Sequence, residues 1–164
     1  MVTKDTFKTL ALFSSFTDAE LEKLAALFSV REYGSGQIIN TEGAESREVV
    51  ILLEGSVEVE MTSSLSDSIE PIVLSTERTP GRIIEWSSAI DATRSGGTAL
   101  SRAVDPTKVL AADGAAIKAL CDQDLQLGYK FIQQIVLVIA SRLKDTRTQF
   151  LSVASQFWWP SEKK

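Results

Sequence analysis

The sequence predicts an α+β fold, mainly β, in which an antiparallel barrel or sandwich lies between N-terminal helices and one long C-terminal helix. Three observations predict it: helix-start signals before residue 30, short β-like segments that recur about every 8–12 residues, and a long amphipathic segment after residue 122. The chain has 164 residues, 44% of them apolar, which is enough for a sizeable core. We therefore predict a single domain over residues 1–164.

A capping box predicts the first clear helix. In TDAEL, Thr17 stands three residues before Glu20, so each side chain can accept a hydrogen bond from the backbone N–H of the other. Phe16 and Leu21 occupy the positions of a hydrophobic staple. We predict a helix over residues 18–28 and assign residues 1–29 to N-terminal helices.

Seven segments between residues 30 and 113 have the composition of strands: 36–39, 48–53, 56–61, 70–75, 82–86, 98–104 and 108–113. Glu54 and Gly55 separate the second segment from the third, and this spacing predicts a two-residue hairpin. The Ser-rich segment 62–68 is predicted to form the tip of the next hairpin.

A short helix is predicted after Asp113 and a long helix after Asp122, with each aspartate as N-cap; together they span residues 114–157. The long helix carries a seam with alternating spacings of four and three, formed by Ile132, Val136, Ile139, Leu143, Thr146, Phe150, Val153 and Phe157. Strict 3.5-residue spacing favours a coiled-coil partner, and we expect a symmetric homodimer through this seam. The alternative is a stripe packed inside the chain's own core, because Phe131, Ile135 and Val138 form a second apolar face. The two interpretations are compatible if one face of the helix packs on the barrel and the other packs on a second copy of the chain.

The absence of histidine removes several classes of site. A chain with 0 His has no imidazole zinc site, no histidine-ligated haem and no Ser-His-Asp or Cys-His pair. No pair of acids suggests carboxylate catalysis, so we expect no catalytic residue, no metal site and no enzyme. The lone Cys121 lies in an apolar stretch, which favours a buried structural thiol.

Charge and hydropathy limit the partners. A net charge of −5 argues against a nucleic-acid partner, which needs clustered Lys and Arg. The longest apolar run, residues 135–140, is far shorter than the roughly 20 residues of a membrane-spanning helix, and the N-terminus lacks the pattern of a secretory signal. We expect a cytoplasmic protein without a membrane partner.

Several separated segments resemble the cyclic nucleotide-binding domain family, the β-roll or jelly-roll barrel shared by the bacterial catabolite activator protein, protein kinase A regulatory subunits and gated ion channels. They are VREYGSGQIINTEGAESREVVILLEGSVEVE, PGRIIEWSS, TRS and SRAV. The family's landmark residues occur in the family's order as Gly36, Glu42, Gly43, Gly55 and Gly81. The resemblance covers nearly the whole chain, and it implies a regulatory β-roll whose ligand is cyclic AMP, cyclic GMP or a related nucleotide.

In the family, a phosphate-binding cassette reads Gly-Glu, a short helix, then Arg and a small residue. The resemblance implies that Glu85 holds the ribose 2′-hydroxyl and that Arg94, followed by Ser95, holds the cyclic phosphate. A planar guanidinium can bind phosphate oxygens bidentately, and a helix N-terminus favours an anion. Counted back from the strand at 98–104, the arginine position instead falls on Gly97, so both alignments stay open.

Three further positions complete the predicted ligand-binding set and show that the cassette diverges. Ile84 stands where the family has glycine, Trp86 stands where it has a modest aliphatic residue, and Ser87 follows. In the catabolite activator a threonine of the long helix reaches the purine, and Thr146 in IASRLKDTRT stands at the matching place. A polar residue that sets the register of the coiled coil is an equally good interpretation of Thr146.

Three functions are consistent with the sequence. The first is a stand-alone regulatory sensor that binds a cyclic-nucleotide-like small anion in the β-roll and signals through a homodimeric helix. The second is a degenerate roll that binds no ligand and serves as a dimerisation or protein-interaction module. The third is the truncated sensor half of a transcription regulator, because many bacterial relatives carry a helix-turn-helix. The aromatic tail, with Phe157, Trp158 and Trp159, closes the dimer seam, folds onto the barrel, or forms an exposed patch for a partner.

Overall fold

The structure is a computed structural model that describes residues 1–43, 47–61, 71–90 and 99–158. Residues 156–158 are described by their backbone alone. Its helices are α1 (Lys4–Lys8), α2 (Asp18–Ala25), α3 (Ser87–Ile90), α4 (Gly114–Gln123) and α5 (Leu125–Trp158), with a 3₁₀ turn at Ala11–Phe13. Its strands are β1 (Ser29–Tyr33), β2 (Ile38–Asn40), β3 (Glu48–Glu54), β4 (Val57–Met61), β5 (Ile72–Glu77), β6 (Ile83–Glu85), β7 (Leu100–Ala103) and β8 (Thr107–Asp113).

The strands form two antiparallel four-stranded sheets. One has the order β1-β8-β3-β6 and the other the order β2-β7-β4-β5. The helices before β1 and after β8 flank them. The predicted fold class, an α+β β-roll flanked by helices with a long C-terminal helix, is confirmed. Among the described residues, no helix is both long and apolar enough to cross a membrane.

Strand β3 lies between two hydrophobic cores. Val49 and Ile51 point to the core that the first sheet forms with the helices. Val50 and Leu52 point to the core between the sheets. Because successive side chains of a strand point to opposite faces, β3 is buried on both sides. This explains why its sequence is a continuous apolar run instead of an alternating one.

The predicted capping box is present at α2. The N–H of Thr17 donates to Glu20 Oε2 at 2.6 Å, and the N–H of Glu20 donates to Thr17 Oγ1 at 3.3 Å. The helix ends at Ala25, three residues before the predicted end. The N–H groups of Leu27 and Phe28 both bond the Leu24 carbonyl in a closing turn, and Phe28 is buried in the helical core.

Strand β1 was not among the predicted strands, and its first residue, Ser29, had been assigned to the N-terminal helices. The strand pairs with β8 from Ser29 opposite Ala111 to Tyr33 opposite Thr107. Its first four residues are exposed and Tyr33 is half-buried. An edge strand with no buried face carries no apolar alternation, so its sequence contains no period-two signal.

The predicted hairpin at Glu54 and Gly55 is wrong. β3 pairs with β6 and β8, whereas β4 pairs with β5 and β7, so the chain passes from one sheet to the other at this point. Gly55 has a φ of 92°. A Cβ there would lie 2.6 Å from the carbonyl oxygen of Pro106. The turn is a corner between sheets at which a side chain has no room. β4 and β5 form the hairpin instead, and its predicted tip at 62–68 lies outside the described residues.

The predicted cap of the long helix is also wrong. The N–H of Leu127 donates to Asp124 Oδ1 at 3.1 Å, so Asp124 caps α5. Asp122 instead accepts from Lys118 Nζ at 2.6 Å within α4. Both aspartates are compatible with a helix start, and the sequence does not distinguish them.

The two apolar faces of α5 have different surroundings. The face with Phe131, Ile135 and Val138 is buried against the chain's own core. The predicted seam is more open: Ile139 is half-buried, whereas the seam residues with large exposed side chains are Ile132, Val136, Leu143, Phe150 and Val153. The side chain of Phe157 lies outside the described part of the chain. The intramolecular stripe thus exists, and it is not the seam.

An ion pair links α2 to α5. Lys130 Nζ donates to both carboxylate oxygens of Glu20, at 2.9 and 2.7 Å, and lies 5.6 Å from the centroid of the Phe16 ring. Burial raises the pKa of Glu20, but the bonds from Lys130 and Thr17 lower it more, so this pKa lies below its ordinary value. Because the folded-state pKa is lowered, the contribution of this pair to stability is present above the unfolded pKa and is lost as the pH falls.

We predict that Glu20→Gln lowers the free energy of unfolding by about 1–3 kcal/mol at pH 7, since it removes the charge that Lys130 faces in a nearly dry site. The difference between variant and wild type should shrink as the pH falls below about 4. Urea unfolding at several pH values measures both. Glu22→Gln, at an exposed glutamate that pairs with Lys4, is the control and should change stability by less than about 1 kcal/mol.

Candidate functional site

The Glu85 carboxylate is buried at the end of β6 and is occupied by the protein itself. Its Oε1 accepts from the N–H of Trp86 at 2.9 Å, the N–H of Ser87 at 2.9 Å and the Ser87 hydroxyl at 2.7 Å. Its Oε2 accepts from Asn40 Nδ2 at 3.2 Å, and the same amide group donates to the Ala99 carbonyl. The carboxylate therefore binds the N–H groups at the start of α3 and ties β6 to β2 and to the segment before β7.

Ile84 belongs to the core between the sheets. Its side chain is 3% exposed and packs with residues such as Val50, Leu52 and Val59. Its neighbour Ile83 belongs instead to the core that the first sheet forms with the helices, whereas the pairing register shifts before Glu85, which lies opposite Val50. Ile84, which the resemblance aligns with a glycine of the family, thus fills the roll interior.

A small cavity of about 130 Å³ lies between the roll and α5. The roll contributes side chains of β4, β5 and the segments around α3, and α5 contributes three side chains. The lining residues are Val59, Leu74, Ser75, Trp86, Ala99, Arg142, Asp145 and Thr146. Of the predicted ligand-binding residues that the structure describes, Trp86 and Thr146 line this cavity, whereas Ile84, Glu85 and Ser87 do not.

Two of the residues that line the cavity each have one N–H donor without an acceptor in the described chain. These donors are the indole Nε1 of Trp86 and the Nε of Arg142, and both atoms are buried. A buried donor without a partner costs about 1–3 kcal/mol, so such groups call for an explanation. Two of them at one small cavity make it the best candidate for a binding site in the described structure.

Arg142 was not predicted as a site residue. Its terminal Nη2 donates to the carbonyls of Ile84 at 2.8 Å and Ile83 at 3.3 Å, so the guanidinium lies against the backbone of β6. Burial lowers the pKa of Arg142, while the nearby carboxylates of Glu77 and Glu85 oppose this effect. An arginine stays protonated even so. The cavity therefore has a fixed positive charge in its wall.

The signal for Arg142 in the sequence is weak. It stands four residues before Thr146, so both lie on one face of α5 and one turn apart. The inference that Thr146 lies near a ligand could also have been made for Arg142, one turn earlier in the helix. An arginine on an exposed-looking helix is usually a solvated side chain, however, and no pattern in the sequence marks it as buried.

Thr146 uses its hydroxyl within the helix. Its Oγ1 donates to the Arg142 carbonyl at 2.9 Å, and the residue is exposed overall while it lines the cavity. The hydroxyl oxygen keeps its acceptor capacity. The two interpretations from the sequence, contact with a ligand and a polar position in the seam, both remain compatible with this placement.

Polar contacts continue along the C-terminal part of α5. Arg82 Nε donates to Glu77 at 2.8 Å, and an Nη of the same guanidinium lies 3.4 Å from the Ser141 hydroxyl. Gln149 Nε2 donates to the Leu74 carbonyl at 3.0 Å. The N-terminal part of α5 is thus held by apolar packing and by the ion pair of Lys130 with Glu20. The part after residue 140 is held to the roll by hydrogen bonds.

Two glycines allow close contact between the helices that surround the site. A Cβ at Gly114, the first residue of α4, would overlap the backbone and side chain of Ser88 in α3. A Cβ at Gly128 in α5 would lie 2.7 Å from the carbonyl oxygen of Cys121 in α4. α3 therefore packs directly on α4, and α4 packs directly on α5. Burial raises the pKa of the Cys121 thiol, in keeping with the structural role predicted for it.

The remaining predicted ligand residues, Arg94 and Ser95, lie outside the described residues, as does Gly97. Their predicted role in phosphate binding stays a prediction. Within the described ranges, no group of three or more Cys, Asp or Glu side chains could hold a metal ion.

Comparison with known proteins identifies the fold. No family model matches the sequence, and no curated protein matches it. Among solved structures, a Geobacter metallireducens protein described as cyclic nucleotide-binding has a TM-score of 0.69 at 24% identity and covers 87% of this chain and 99% of its own. A cyclic nucleotide-binding domain of Methylobacillus flagellatus has a TM-score of 0.73 at 20% identity, over 90% of this chain and 80% of its own.

A third structure is the c-di-GMP responsive global regulator CLP of Xanthomonas campestris. Its TM-score is 0.72 at 14% identity, over 88% of this chain and 66% of the regulator. Identities this low establish the fold and leave the ligand undetermined. The chain has the fold of cyclic nucleotide-binding domains, and the predicted resemblance is confirmed at that level.

The neighbouring serines of α3 test the role of Glu85. Ser87→Ala should lower the free energy of unfolding by about 1.5–3 kcal/mol, because it removes a hydrogen bond to a buried carboxylate. Ser88→Ala should leave stability unchanged or raise it slightly, because the buried Ser88 hydroxyl has no partner in the described structure. Chemical denaturation of both variants measures the difference. Equal losses would contradict the proposed bonding of Glu85.

Proposed function

We propose that this protein is a regulatory sensor module in which a small anionic ligand enters the β-roll beside α5 and changes how α5 is held. The observation that carries the proposal is the cavity lined by Trp86 and Arg142, each of which has a buried N–H group without an acceptor in the described structure. An anion there would lie beside the positive charge of Arg142. The fold supports a regulatory role, since the solved structures with this fold include a global regulator.

The connection to α5 supports signalling. Arg142, Asp145 and Thr146 belong to α5 and line the cavity, so a ligand there contacts the helix directly. The C-terminal part of the same helix is held to the roll by hydrogen bonds of Ser141, Arg142 and Gln149. Exposed contacts such as that of Gln149 exchange with water at small net cost. A ligand that binds one arrangement of these contacts better than another shifts the helix between them.

Cyclic nucleotides are the first ligands to test, because the fold and the predicted pairing of Glu85 with Arg94 both indicate them. The internal bonding of Glu85 favours a different role for that carboxylate, since a ribose hydroxyl would have to compete with Ser87 and Asn40. The same observation favours the second candidate, a degenerate roll that serves as a dimerisation or protein-interaction module.

We propose in addition that α5 pairs with α5 of a second copy through the seam. From residue 143 to residue 155, every residue except Ala154 is exposed, including Leu143, Phe150 and Val153. A single helix with this much exposed apolar surface is marginal in water, whereas a partner at 3.5-residue spacing would bury it. The homodimer would place the two ligand cavities close to the helices that join the copies.

Isothermal titration with cyclic AMP, cyclic GMP and cyclic di-GMP tests nucleotide sensing. If one of them binds through the cassette, Arg94→Ala should weaken it by about tenfold or more, because a charge-assisted contact to phosphate is lost. Arg78→Ala, at an exposed arginine outside the cassette, is the matched control and should leave binding unchanged. Binding that survives Arg94→Ala would show that the cassette assignment is wrong.

The dimer is tested by Leu143→Glu. Two charges placed in an apolar seam should dissociate the copies at micromolar concentration, which sedimentation velocity measures as a fall from twice the chain mass to the chain mass. Lys144→Glu, at the exposed neighbouring position, should leave the dimer intact. A monomeric wild type at the same concentration would refute the seam.

A further inference from the structure

We infer that β1 is a docking edge for an extended, basic peptide segment of a partner protein, which adds to the first sheet as a further strand. β1 is one edge of that sheet, and β6, which lies beside the candidate ligand site, is the other edge. The inference therefore goes beyond the proposed sensing function and does not depend on it. It follows from an open strand edge, a crevice beside this edge and the charges around the crevice.

The outer edge of β1 is open in the described structure. Within the described residues β1 pairs with β8 alone, from Ser29 opposite Ala111 to Tyr33 opposite Thr107. Residues 29–32 are exposed. In an antiparallel sheet, alternate residues of an edge strand direct both their N–H and their C=O away from the neighbouring strand. These backbone groups are therefore available to an added strand.

A crevice of about 760 Å³ lies beside the start of β1. Residues 1–5, the end of α2 and the first two residues of β1 form its walls, and its described lining includes no residue of β8. The crevice therefore lies away from β8. Paired residues of two strands point to the same face, so the residue of an added strand that lies opposite Val30 reaches this crevice. The apolar side chains that would receive it are Val2, Ala25, Ala26, Phe28 and Val30.

The charges around the crevice favour a basic peptide. Asp5 and Glu22 are exposed and line it together with Lys4. The Nζ of Lys4 already donates to Glu22 Oε1 at 2.6 Å. Glu32 is exposed and, two residues after Val30, lies on the same face of β1. Because opposite charges on paired strands stabilise the pairing, a Lys or Arg opposite Glu32 fits this edge.

A second copy of the chain is the less suitable occupant of the edge. A two-fold axis at the centre of β1 would place two copies of Arg31 directly opposite each other. An axis one residue later would do the same to Glu32. Like charges directly opposite each other destabilise strand pairing. Arg31 is also already bonded to Glu48, at 2.7 Å from its Nη1. The edge therefore suits a peptide of another sequence better than its own copy.

The probe is the peptide acetyl-TKTITI-amide, which alternates polar and apolar side chains and is designed to run antiparallel to β1. Its lysine then lies opposite Glu32 and its first isoleucine opposite Val30. In amide hydrogen exchange of the full chain, followed by NMR, alternate amides of residues 29–33 should exchange about tenfold more slowly when the peptide is at ten times its dissociation constant. The amides of β2 (Ile38–Asn40), at an edge of the other sheet, are the internal reference and should not change.

Charge recognition is tested with a second peptide. Acetyl-TETITI-amide has glutamate in place of lysine and should bind at least fivefold more weakly, because a like charge then lies opposite Glu32. In Glu32→Gln the two peptides should bind with affinities that differ by less than about twofold. Asp122→Asn removes an exposed carboxylate of α4 and should leave the difference between the peptides unchanged.

The role of the crevice is tested with Ala26→Phe. This substitution places a ring in the crevice from an exposed position and should weaken the lysine peptide by at least tenfold. Ala119→Phe, at an exposed position of α4, is the matched control and should leave the affinity unchanged. Thermal melts of both variants establish that they are folded.

Several outcomes would overturn the docking edge. They are the absence of saturable binding of the lysine peptide, equal binding of the two peptides to the wild type, and binding that leaves the exchange of β1 unchanged. If the amides of β1 are protected without peptide and this protection rises with protein concentration, a second copy occupies the edge and peptide docking is wrong. None of these outcomes alters the nucleotide titrations, so the failure of either proposal is distinguishable from the failure of the other.

Discussion

The contact between Arg142 and β6 determines how the candidate site is built. The guanidinium of Arg142 bonds the carbonyls of Ile83 and Ile84, which brings α5 across the end of the roll and encloses the cavity beside Trp86. Without a cation at this position, α5 would meet the roll after residue 140 mainly through the weaker contacts of Ser141 and Gln149. A buried guanidinium needs acceptors on several sides. Here the backbone of β6 provides two of them.

The Glu85 carboxylate, which the sequence resemblance aligns with the ribose-binding glutamate of the family, is bonded within the protein. In this chain the carboxylate satisfies the N–H groups of Trp86 and Ser87 at the beginning of α3. It also accepts from Asn40. A buried carboxylate must have its lone pairs occupied, and four donors from the protein meet most of that need. The residue is therefore explained by the architecture of the roll, whether or not a ligand reaches it.

The elements that were predictable from the sequence are those formed by interactions between residues close together in the chain. The capping box of Thr17 and Glu20 and the continuous apolar run of β3 have causes within a few residues. The elements that were missed depend on distant partners. β1 is defined by its pairing with β8, and the turn at Gly55 separates two sheets instead of joining two strands of one. Arg142 belongs to the same group, because its burial comes from packing against β6, which no local pattern reveals.

The close packing at Gly114 and Gly128 has a mechanical consequence. Hydrogen bonds can lengthen or exchange with water. Backbone atoms that already touch a neighbouring helix cannot move any closer to it. A displacement of α3 toward α4 is therefore transmitted through Ser88 to α4 and then through Cys121 to α5. The three helices therefore move as one rigid unit. A small movement at the end of β6, where α3 begins, displaces the exposed half of α5.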